Sequence, residues 1–188
     1  ALAAFARRTD AATFDFENVP ADTAHWLSER TVVFPNPRAL ATSQDRLAEK
    51  RLFGTIGLDT PDYAVVDSLA DLQRAVARMG TPSTLKTRRL GSDGKGQFRL
   101  KSPADAEAAW KAIAAAPSVL EAFVPFEREL SVIAVRSREG EFRTWPLTRN
   151  WHADGILSAG LAPAPGSEAL APQACAHARR IAEELDYV

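Results

Sequence analysis

Residues 83–101 read STLKTRRLGSDGKGQFRLK, and the glycine-rich centre of this stretch, Leu90–Gln97, has the most informative pattern in the chain. The two flanks predict β-strands, so the glycine-rich loop is predicted to form the tip of a hairpin. The loop matches neither the G-x-x-x-x-G-K-[ST] pattern of a P-loop nor the G-x-G-x-x-G pattern of a dinucleotide-binding turn. Its function therefore has to be inferred from its own residues.

Two interpretations of this loop stay open on its own sequence. Six basic residues and one acidic residue lie between positions 86 and 101 of a chain whose net charge is −1, so positive charge is concentrated near the glycines. Glycines allow backbone N–H groups to turn toward an anion, which favours a phosphate-binding loop. Asp93-Gly94 is also typical of an ordinary hairpin turn. Ordering a glycine-rich loop costs conformational entropy, and a tight turn alone does not require Gly91, Gly94 and Gly96 together. The three glycines therefore favour the phosphate-binding interpretation modestly.

Composition excludes several classes of protein. The content of 46% hydrophobic and 25% charged residues is typical of a folded soluble protein. The net charge of −1 and the short apolar stretches predict no nucleic-acid partner and no membrane partner. The single cysteine, Cys175, fits a reducing compartment, and we expect a cytoplasmic protein. The chain begins without Met and stops without a turn signal, so we expect it to be part of a larger protein.

Three helices are predicted from one shared pattern, in which a hydroxyl residue precedes an aspartate by three positions. The hydroxyl can accept a hydrogen bond from an unpaired backbone N–H, and the carboxylate faces the positive end of the helix. The pairs are Thr42 with Asp45, Ser68 with Asp71 and Ser102 with Asp105. The predicted helix ends are Gly57, Gly80 and Pro117, and a fourth helix is predicted over residues 173–187.

Strands are predicted between and around these helices. Phe14 and Phe16 alternate with acidic residues in segment 12–20, which predicts a strand there. Further strands are predicted over residues 30–37, 63–66, 83–90, 97–101, 118–124, 129–137 and 141–148. The turn SREG joins the last two as a hairpin. Because strands and helices mix without strict alternation, the sequence predicts an α+β fold.

Acidic and histidine residues provide a second group of candidates. Glu121 and Glu129 flank the apolar segment AFVPF. Glu121 opens a stretch whose backbone groups could bind a purine edge, and Glu129 could accept hydrogen bonds from ribose hydroxyls. On spacing alone, two solvent-exposed carboxylates at strand ends fit the pattern better. His152 lies in RNWHADGIL, predicted as a loop, and is the best histidine candidate. No zinc spacing and no nucleophile motif is present in the sequence.

Five segments, taken in order, resemble the N5-carboxyaminoimidazole ribonucleotide synthases, which are ATP-grasp enzymes of purine synthesis. They are TFDFENVP (13–20), QDRLAEKRLF (44–53), LKTRRLGSDGKGQ (85–97), LEAFVPFERELSVIAVR (120–136) and PLTRNWHADGIL (146–157). The resemblance implies an ATP-grasp fold, ATP and Mg²⁺ as cofactors, and a homodimer. It also implies ATP-dependent carboxylation of 5-aminoimidazole ribonucleotide by bicarbonate.

The resemblance also implies a role for each matching residue. Asp93 would be catalytic, moving a proton at the substrate side of the loop, and Glu17 would be a further substrate contact. The implied ATP contacts are Arg46, Lys86, the closing loop Gly91, Ser92, Asp93, Gly94, Lys95, Gly96 and Gln97, the adenine hinge Glu121, Ala122, Phe123 and Val124, the ribose carboxylate Glu129, and His152.

The family pattern further implies three domains. Residues 1–40 would end an N-terminal α/β domain, 41–123 would form the central lid domain, and 124–188 would begin the C-terminal domain. The family's metal ligands would follow residue 188, so we expect no metal site in this chain and no turnover by these residues alone. Ser92 replaces a usual Tyr, and Asp15 replaces a common Glu.

Two alternatives remain open at this point. One is a different ATP-grasp ligase, such as a biotin carboxylase-like enzyme or a formate-dependent glycinamide ribonucleotide transformylase. These share the phosphate loop and hinge but do not combine TFDFENVP with NWHADGIL. The other alternative is a non-catalytic nucleotide-binding module that has kept the hairpin.

Overall fold

A computed structural model describes residues 1–91, 96–153 and 155–188 of the chain. The chain divides into two units. The first contains residues 1–44, 130–150 and 160–188, and the second contains residues 45–129 and 151–159. Helices and strands are mixed along the chain, which confirms the predicted α+β class.

The first unit begins with five short elements. They are α1 (Leu2–Ala6), β1 (Ala11–Ala12), α2 (Ala21–Ser28), β2 (Val32–Val33) and α3 (Pro37–Ser43). Strands β1 and β2 pair in parallel, and Ala6, Leu27 and Val33 form a small buried cluster. Pro37 opens α3 at a position where its missing N–H costs nothing, and Asn36 caps the helix by accepting a hydrogen bond from the Ala39 N–H.

The strand predicted over residues 12–20 is wrong beyond Ala12. Phe14 packs against the small cluster, whereas Phe16 is 58% exposed, so the alternation does not mark two faces of a strand. The carbonyls of Glu17 and Val19 accept hydrogen bonds from the Gln44 side-chain amide, each at 2.7 Å. The backbone of this segment is therefore hydrogen-bonded to a side chain, whereas the backbone of a strand would be hydrogen-bonded to a neighbouring strand.

The second unit is built on a four-stranded sheet with two helices against one face. Its elements are α4 (Arg46–Thr55), β3 (Tyr63–Val66), α5 (Leu69–Met79), β4 (Ser83–Thr87), β5 (Gln97–Leu100), α6 (Ala106–Ala112) and β6 (Ser118–Ala122). The strand order is β3-β6-β4-β5. Leu85 and Leu120 oppose each other in the sheet and are fully buried against Leu72 and Val76 of α5. This apolar cluster is the core of the unit.

The predicted capping patterns had different outcomes. Ser68 caps α5 through the Asp71 N–H, and α5 ends at Gly80, which has a φ of 78°, so this prediction is confirmed. Ser102 and Asp105 form a capping box before α6, as predicted. The helix ends at Ala112, however, well before Pro117. Thr42 does not open a helix, because it lies inside α3 and the carboxylate of Asp45 caps α4.

The remaining elements follow residue 128. They are β7 (Glu129–Ser131), β8 (Ala134–Arg136), β9 (Phe142–Thr144), β10 (Thr148–Ala153), β11 (Ile156–Leu161) and α7 (Ala171–Glu184). The antiparallel β8–β9 hairpin across SREG is confirmed, and α7 occupies most of the predicted final helix. The single strand predicted over 129–137 is two strands. The loop predicted around His152 is wrong, since β10 and β11 are hydrogen-bonded neighbours there.

Within the described residues, no helix combines the length and the apolar character needed to cross a membrane.

Candidate functional site

Strand register brings two of the candidate residues onto one face of the four-stranded sheet. Thr84 of β4 lies directly opposite Glu121 of β6, and Lys86 is two residues further along β4. Because side chains alternate between the faces of a strand, Lys86 and Glu121 are diagonal neighbours on the same face. Leu85 and Leu120 point to the opposite face and into the core. The strands that build the core therefore also place the charged pair.

The carboxylate of Glu121 is held by two lysines. Lys86 Nζ lies 2.7 Å from Oε2, and Lys50 Nζ, which comes from α4, lies 3.0 Å from Oε1. The exposed fractions of the side chains are 11% for Glu121, 8% for Lys50 and 27% for Lys86. Burial of Glu121 acts to raise its pKa, but the hydrogen bonds and positive charges of Lys86 and Lys50 outweigh burial and lower the pKa below its ordinary value. Glu121 is therefore charged at neutral pH.

Arg46 is fixed at the start of α4 by contacts with the end of β4. Its backbone N–H donates to the Arg88 carbonyl at 3.0 Å, and its Nε donates to the Thr87 carbonyl at 3.1 Å. Arg88 in turn donates two hydrogen bonds to the carboxylate of Asp45, the residue that caps α4. These contacts hold the Arg46 guanidinium beside the base of the glycine-rich loop.

The base of that loop is a close backbone crossing. Thr87 N–H donates to the Gly96 carbonyl at 2.8 Å. A Cβ added to Gly96 would lie 2.7 Å from the Gly91 Cα and even closer to Thr87 Oγ1, and a Cβ on Gly91 would lie 3.4 Å from Arg46 Nη2. The backbone crossing thus leaves no room for a side chain on Gly91 or Gly96. Ser92, Asp93, Gly94 and Lys95 lie outside the described residues.

The predicted hinge, residues 121–124, begins in β6 and continues two residues beyond it. Ala122 N–H donates to the Asp62 carbonyl at 2.9 Å, and Phe123 N–H donates to the Pro82 carbonyl at 3.3 Å. Phe123 and Val124 are 40% and 44% exposed, and the Arg99 guanidinium lies 4.4 Å from the centre of the Phe123 ring. An exposed apolar edge next to a fixed backbone is the type of surface that binds a flat aromatic ring.

Glu129 and His152 are brought together, although they lie far apart in the sequence. His152 Nδ1 lies 3.7 Å from Glu129 Oε2, and both side chains are partly exposed. Gln97, the first residue of β5, approaches the turn between β10 and β11, because a Cβ on Gly155 would lie 2.5 Å from Gln97 Nε2. These three predicted nucleotide contacts all belong to the second unit.

Two further predictions concern a substrate contact and the metal site, and both stay predictions. Glu17 belongs to the first unit, where its side chain accepts a hydrogen bond from Asn18 Nδ2 at 3.1 Å, so its predicted substrate contact stays a prediction. Among the described residues, no group of three or more His, Cys, Asp or Glu side chains could hold a metal ion. The Mg²⁺ implied by the family pattern is therefore assigned to none of them.

Lys50 is the site residue that sequence reasoning missed. It follows Arg46 by four positions in QDRLAEK, so both side chains lie on the same face of α4. That spacing could have indicated a second cation at the site. A lysine in a helix is usually solvated, however, and only the packing of α4 reveals its contact with Glu121.

The charges of this cluster do not balance. Lys50 and Lys86 bind the carboxylate of Glu121, Arg46 and Lys50 lie near Glu49, and Asp45 and Arg88 compensate each other. Burial raises the pKa of Glu49, and even with both carboxylates charged, three cations (Arg46, Lys50 and Lys86) face two anions (Glu49 and Glu121). An excess of positive charge beside a glycine-rich loop attracts an anion such as a polyphosphate.

Known protein families match the chain over nearly its whole length. The family model described as an ATP-grasp domain matches residues 51–188, and that of a ribonucleotide synthetase preATP-grasp domain matches residues 1–44. N5-carboxyaminoimidazole ribonucleotide synthase of Pseudomonas aeruginosa is 45% identical over 187 residues, which cover 100% of this chain and 51% of the relative. The chain thus spans about half the length of the relatives that it matches.

Solved structures show the same similarity. A crystal structure of an N5-carboxyaminoimidazole ribonucleotide synthetase in complex with ADP has a TM-score of 0.94 and 37% identity, covering 100% of this chain and 50% of that one. The synthetase from Thermus thermophilus has a TM-score of 0.91 and 44% identity, with 100% and 51% coverage. The resemblance and the fold predicted from the five sequence segments are confirmed, and the chain belongs to the ATP-grasp family.

Proposed function

We propose that this chain provides the ATP-binding part of an N5-carboxyaminoimidazole ribonucleotide synthase. The reaction would consume ATP, bicarbonate and 5-aminoimidazole ribonucleotide and yield ADP, phosphate and N5-carboxyaminoimidazole ribonucleotide. The observation that supports it most strongly is the concentration of cations in this unit, with Arg46 beside the Gly91–Gly96 crossing and Lys50 and Lys86 on Glu121. The choice of substrate is supported by the relatives that the chain resembles along its whole length.

The chemistry accounts for an excess of positive charge at the site. Bicarbonate is a poor electrophile, and transfer of the ATP γ-phosphoryl group to it gives carboxyphosphate. The transition state of that transfer spreads negative charge over several oxygens, so catalysis depends on positioning and on electrostatic stabilisation. Lys86 and Arg46 would supply positive potential to the phosphates, and the backbone N–H groups of the loop Gly91–Gln97 would add to it.

The rest of the nucleotide would be held by the hinge and by the β10 strand. In this proposal the backbone of Glu121–Val124 binds the edge of adenine, and the apolar Phe123 and Val124 contact its ring. Glu129 accepts hydrogen bonds from the ribose hydroxyls, and His152, 3.7 Å from that carboxylate, orients it.

Exclusion of water is the second requirement. Carboxyphosphate hydrolyses readily, so a hairpin that closes over the phosphates protects it until the exocyclic amine of the ribonucleotide attacks. That attack forms the C–N bond and releases phosphate, and the amine loses a proton. In our proposal Asp93 accepts this proton when the loop is closed, and Glu17 contacts the ribonucleotide.

The proposal has further parts at the level of the whole protein. The family pattern supports a homodimer, a cytoplasmic location, Mg²⁺ as a cofactor, and domains over residues 1–40, 41–123 and 124–188. No step above is assigned to a metal ion. Sedimentation of the complete protein would test the dimer, and fractionation of cells would test the location.

The decisive experiment measures ADP release by the complete protein with two sets of substrates. We expect release that depends on bicarbonate and 5-aminoimidazole ribonucleotide. Release with formate and glycinamide ribonucleotide would indicate the transformylase, and release that depends on biotin would indicate a biotin carboxylase-like enzyme. ADP binding without release under any condition would indicate a nucleotide-binding module. Any of these last three results would overturn the proposal.

A further inference from the structure

Two lysines bind the one carboxylate of Glu121. Lys86 and Lys50 each bind one oxygen of Glu121, so a single lysine would already compensate its charge. A second buried lysine is costly unless it has a partner, because removing an ammonium group from water is unfavourable. The position of Lys50 therefore calls for a physical explanation beyond the salt bridge that Lys86 already makes.

The two lysines differ in how firmly they are held. Lys50 is 8% exposed, lies on α4, and has its Nζ 5.1 Å from the centre of the Tyr63 ring as well as 3.0 Å from Glu121. Lys86 is 27% exposed and stands at the open side of the same carboxylate. Lys86 is thus the lysine whose side chain can move away from Glu121, whereas Lys50 is held beside it.

We propose that Lys50 is a positioning residue that keeps the carboxylate of Glu121 compensated while Lys86 moves to a nucleotide phosphate. The inference rests on the proposed binding of ATP. Without Lys50, the departure of Lys86 would leave a buried carboxylate unpaired, and that cost would be subtracted from nucleotide affinity. Lys86 would then stay on Glu121, and its charge would not reach the phosphates.

A purely structural role for Lys50 makes a different prediction, which a double-mutant cycle can separate. If Lys50 acts through Glu121 and Lys86, its removal matters only while the carboxylate is present. If Lys50 only stabilises the packing of α4, or contacts the nucleotide itself, its removal weakens binding whether or not residue 121 is charged.

The experiment measures the dissociation constant of ADP by calorimetry, using the complete protein. The variants are Lys50→Met, which keeps the length of the side chain without its charge, Lys50→Arg, Glu121→Gln, and the double variant Lys50→Met/Glu121→Gln. Lys111→Met, at an exposed position of α6, is the matched control for loss of a lysine.

We expect Lys50→Met to raise the dissociation constant roughly tenfold, while Lys50→Arg and Lys111→Met stay within about twofold of the wild type. In the Glu121→Gln background we expect Lys50→Met to change the constant by less than about twofold. An unchanged constant for Lys50→Met, or an equal loss in both backgrounds, would overturn the inference. If Lys50→Met alone folds poorly, the double variant can still be compared with Glu121→Gln, because neither of these two proteins contains an unpaired buried carboxylate. That comparison remains decisive.

ADP binding by the wild-type protein distinguishes a failure of this inference from a failure of the proposed function. If the wild-type protein binds no ADP, both are overturned. If it binds ADP and the cycle shows no coupling between positions 50 and 121, only the role of Lys50 is wrong.

Discussion

Arg88 donates two hydrogen bonds to the Asp45 carboxylate, from Nε to Oδ1 at 3.1 Å and from Nη2 to Oδ2 at 2.5 Å. The same carboxylate caps α4 by accepting from the Leu47 N–H at 2.9 Å. Since the Arg88 carbonyl also accepts from the Arg46 N–H, one pair of side chains fixes the start of the helix and the direction of Arg46. Burial acts to raise the pKa of Asp45, but the Arg88 hydrogen bonds and the backbone N–H groups outweigh it and lower that pKa.

The first prediction concerns this pair. Asp45→Ala removes the cap of α4 and leaves Arg88 without its carboxylate, so we expect the free energy of unfolding to fall by about 2 kcal/mol or more. Urea denaturation of the complete protein measures the change. Asp59→Ala, at an exposed position, is the control and should change the free energy by less than about 0.5 kcal/mol. Equal effects of the two substitutions would show that the cap and the ion pair do not stabilise α4.

The second prediction concerns the crossing at the base of the glycine-rich loop. Gly96→Ala places a Cβ 2.7 Å from the Gly91 Cα, so the backbone must move and we expect ATP affinity to fall roughly tenfold or more. Gly54→Ala is the matched control, because a Cβ there meets nothing within 4 Å. Gly54 lies in α4, where alanine should stabilise the helix by up to about 1 kcal/mol. Calorimetric titration with ATP and thermal unfolding check both variants, and wild-type ATP affinity in Gly96→Ala would contradict the prediction.

The third prediction is a pH dependence from Glu121. Its pKa is lower in the folded protein than the ordinary value of 4.5, so the folded state is favoured when this carboxylate is charged. The contribution is complete above the ordinary value and is lost as the pH falls through the folded pKa. We expect the free energy of unfolding to decrease less steeply in Glu121→Gln than in the wild type between about pH 5 and pH 3. Parallel pH curves for the two proteins would show that Glu121 does not contribute to acid sensitivity.

The fourth prediction tests Lys86 as a phosphate ligand. Lys86→Ala should weaken ATP binding or turnover by about 2 kcal/mol or more, as expected for the loss of a hydrogen bond to a charged group. Lys50 still compensates Glu121 in this variant, so the fold should survive. Steady-state kinetics and ATP titration of the complete protein measure the effect, with Lys101→Ala as a control at an exposed position. Unchanged kinetics would remove Lys86 from the site.

The fifth prediction tests Asp93 as the proton acceptor. Asp93→Asn keeps the size of the side chain and its preference for turns but removes the base, so we expect ATP binding to be retained and carboxylation to slow by roughly 100-fold. Comparison of ATP affinity with the rate of product formation separates the two effects. A collapse of ATP binding would instead identify Asp93 as a residue that only shapes the turn.

Local patterns predicted the second unit well. The segment 63–66, the Ser68 cap and the Gly80 end of α5 all depend on neighbouring residues, and all are found. The Thr42 prediction failed because Asp45 has two uses that its local pattern does not reveal, the cap of α4 and the pair with Arg88. The strands β10 and β11 were missed because most of their side chains are exposed, so no apolar alternation marks them.

The candidate site was predictable only in part, for a similar reason. The resemblance to a known family predicted Lys86, Glu121 and His152, and the structure places Lys86 on Glu121 and His152 near Glu129. It gave no indication that the Glu121 side chain lies between two lysines. That arrangement depends on how α4 packs against the sheet, and sequence spacing does not encode the partner of Lys50.

Strand β4 also limits how the length of this protein can change during evolution. Its buried residues Ser83, Leu85 and Thr87 alternate with Thr84 and Lys86, so core and site are built from the same five positions. Inserting one residue in this strand would exchange the two faces, turning Lys86 into the core and Leu85 toward the ligand. An insertion of two residues would preserve the alternation. Insertion or deletion of a single residue in β4 should therefore abolish both folding and ligand binding. The same change in the SREG turn (137–140) should be tolerated.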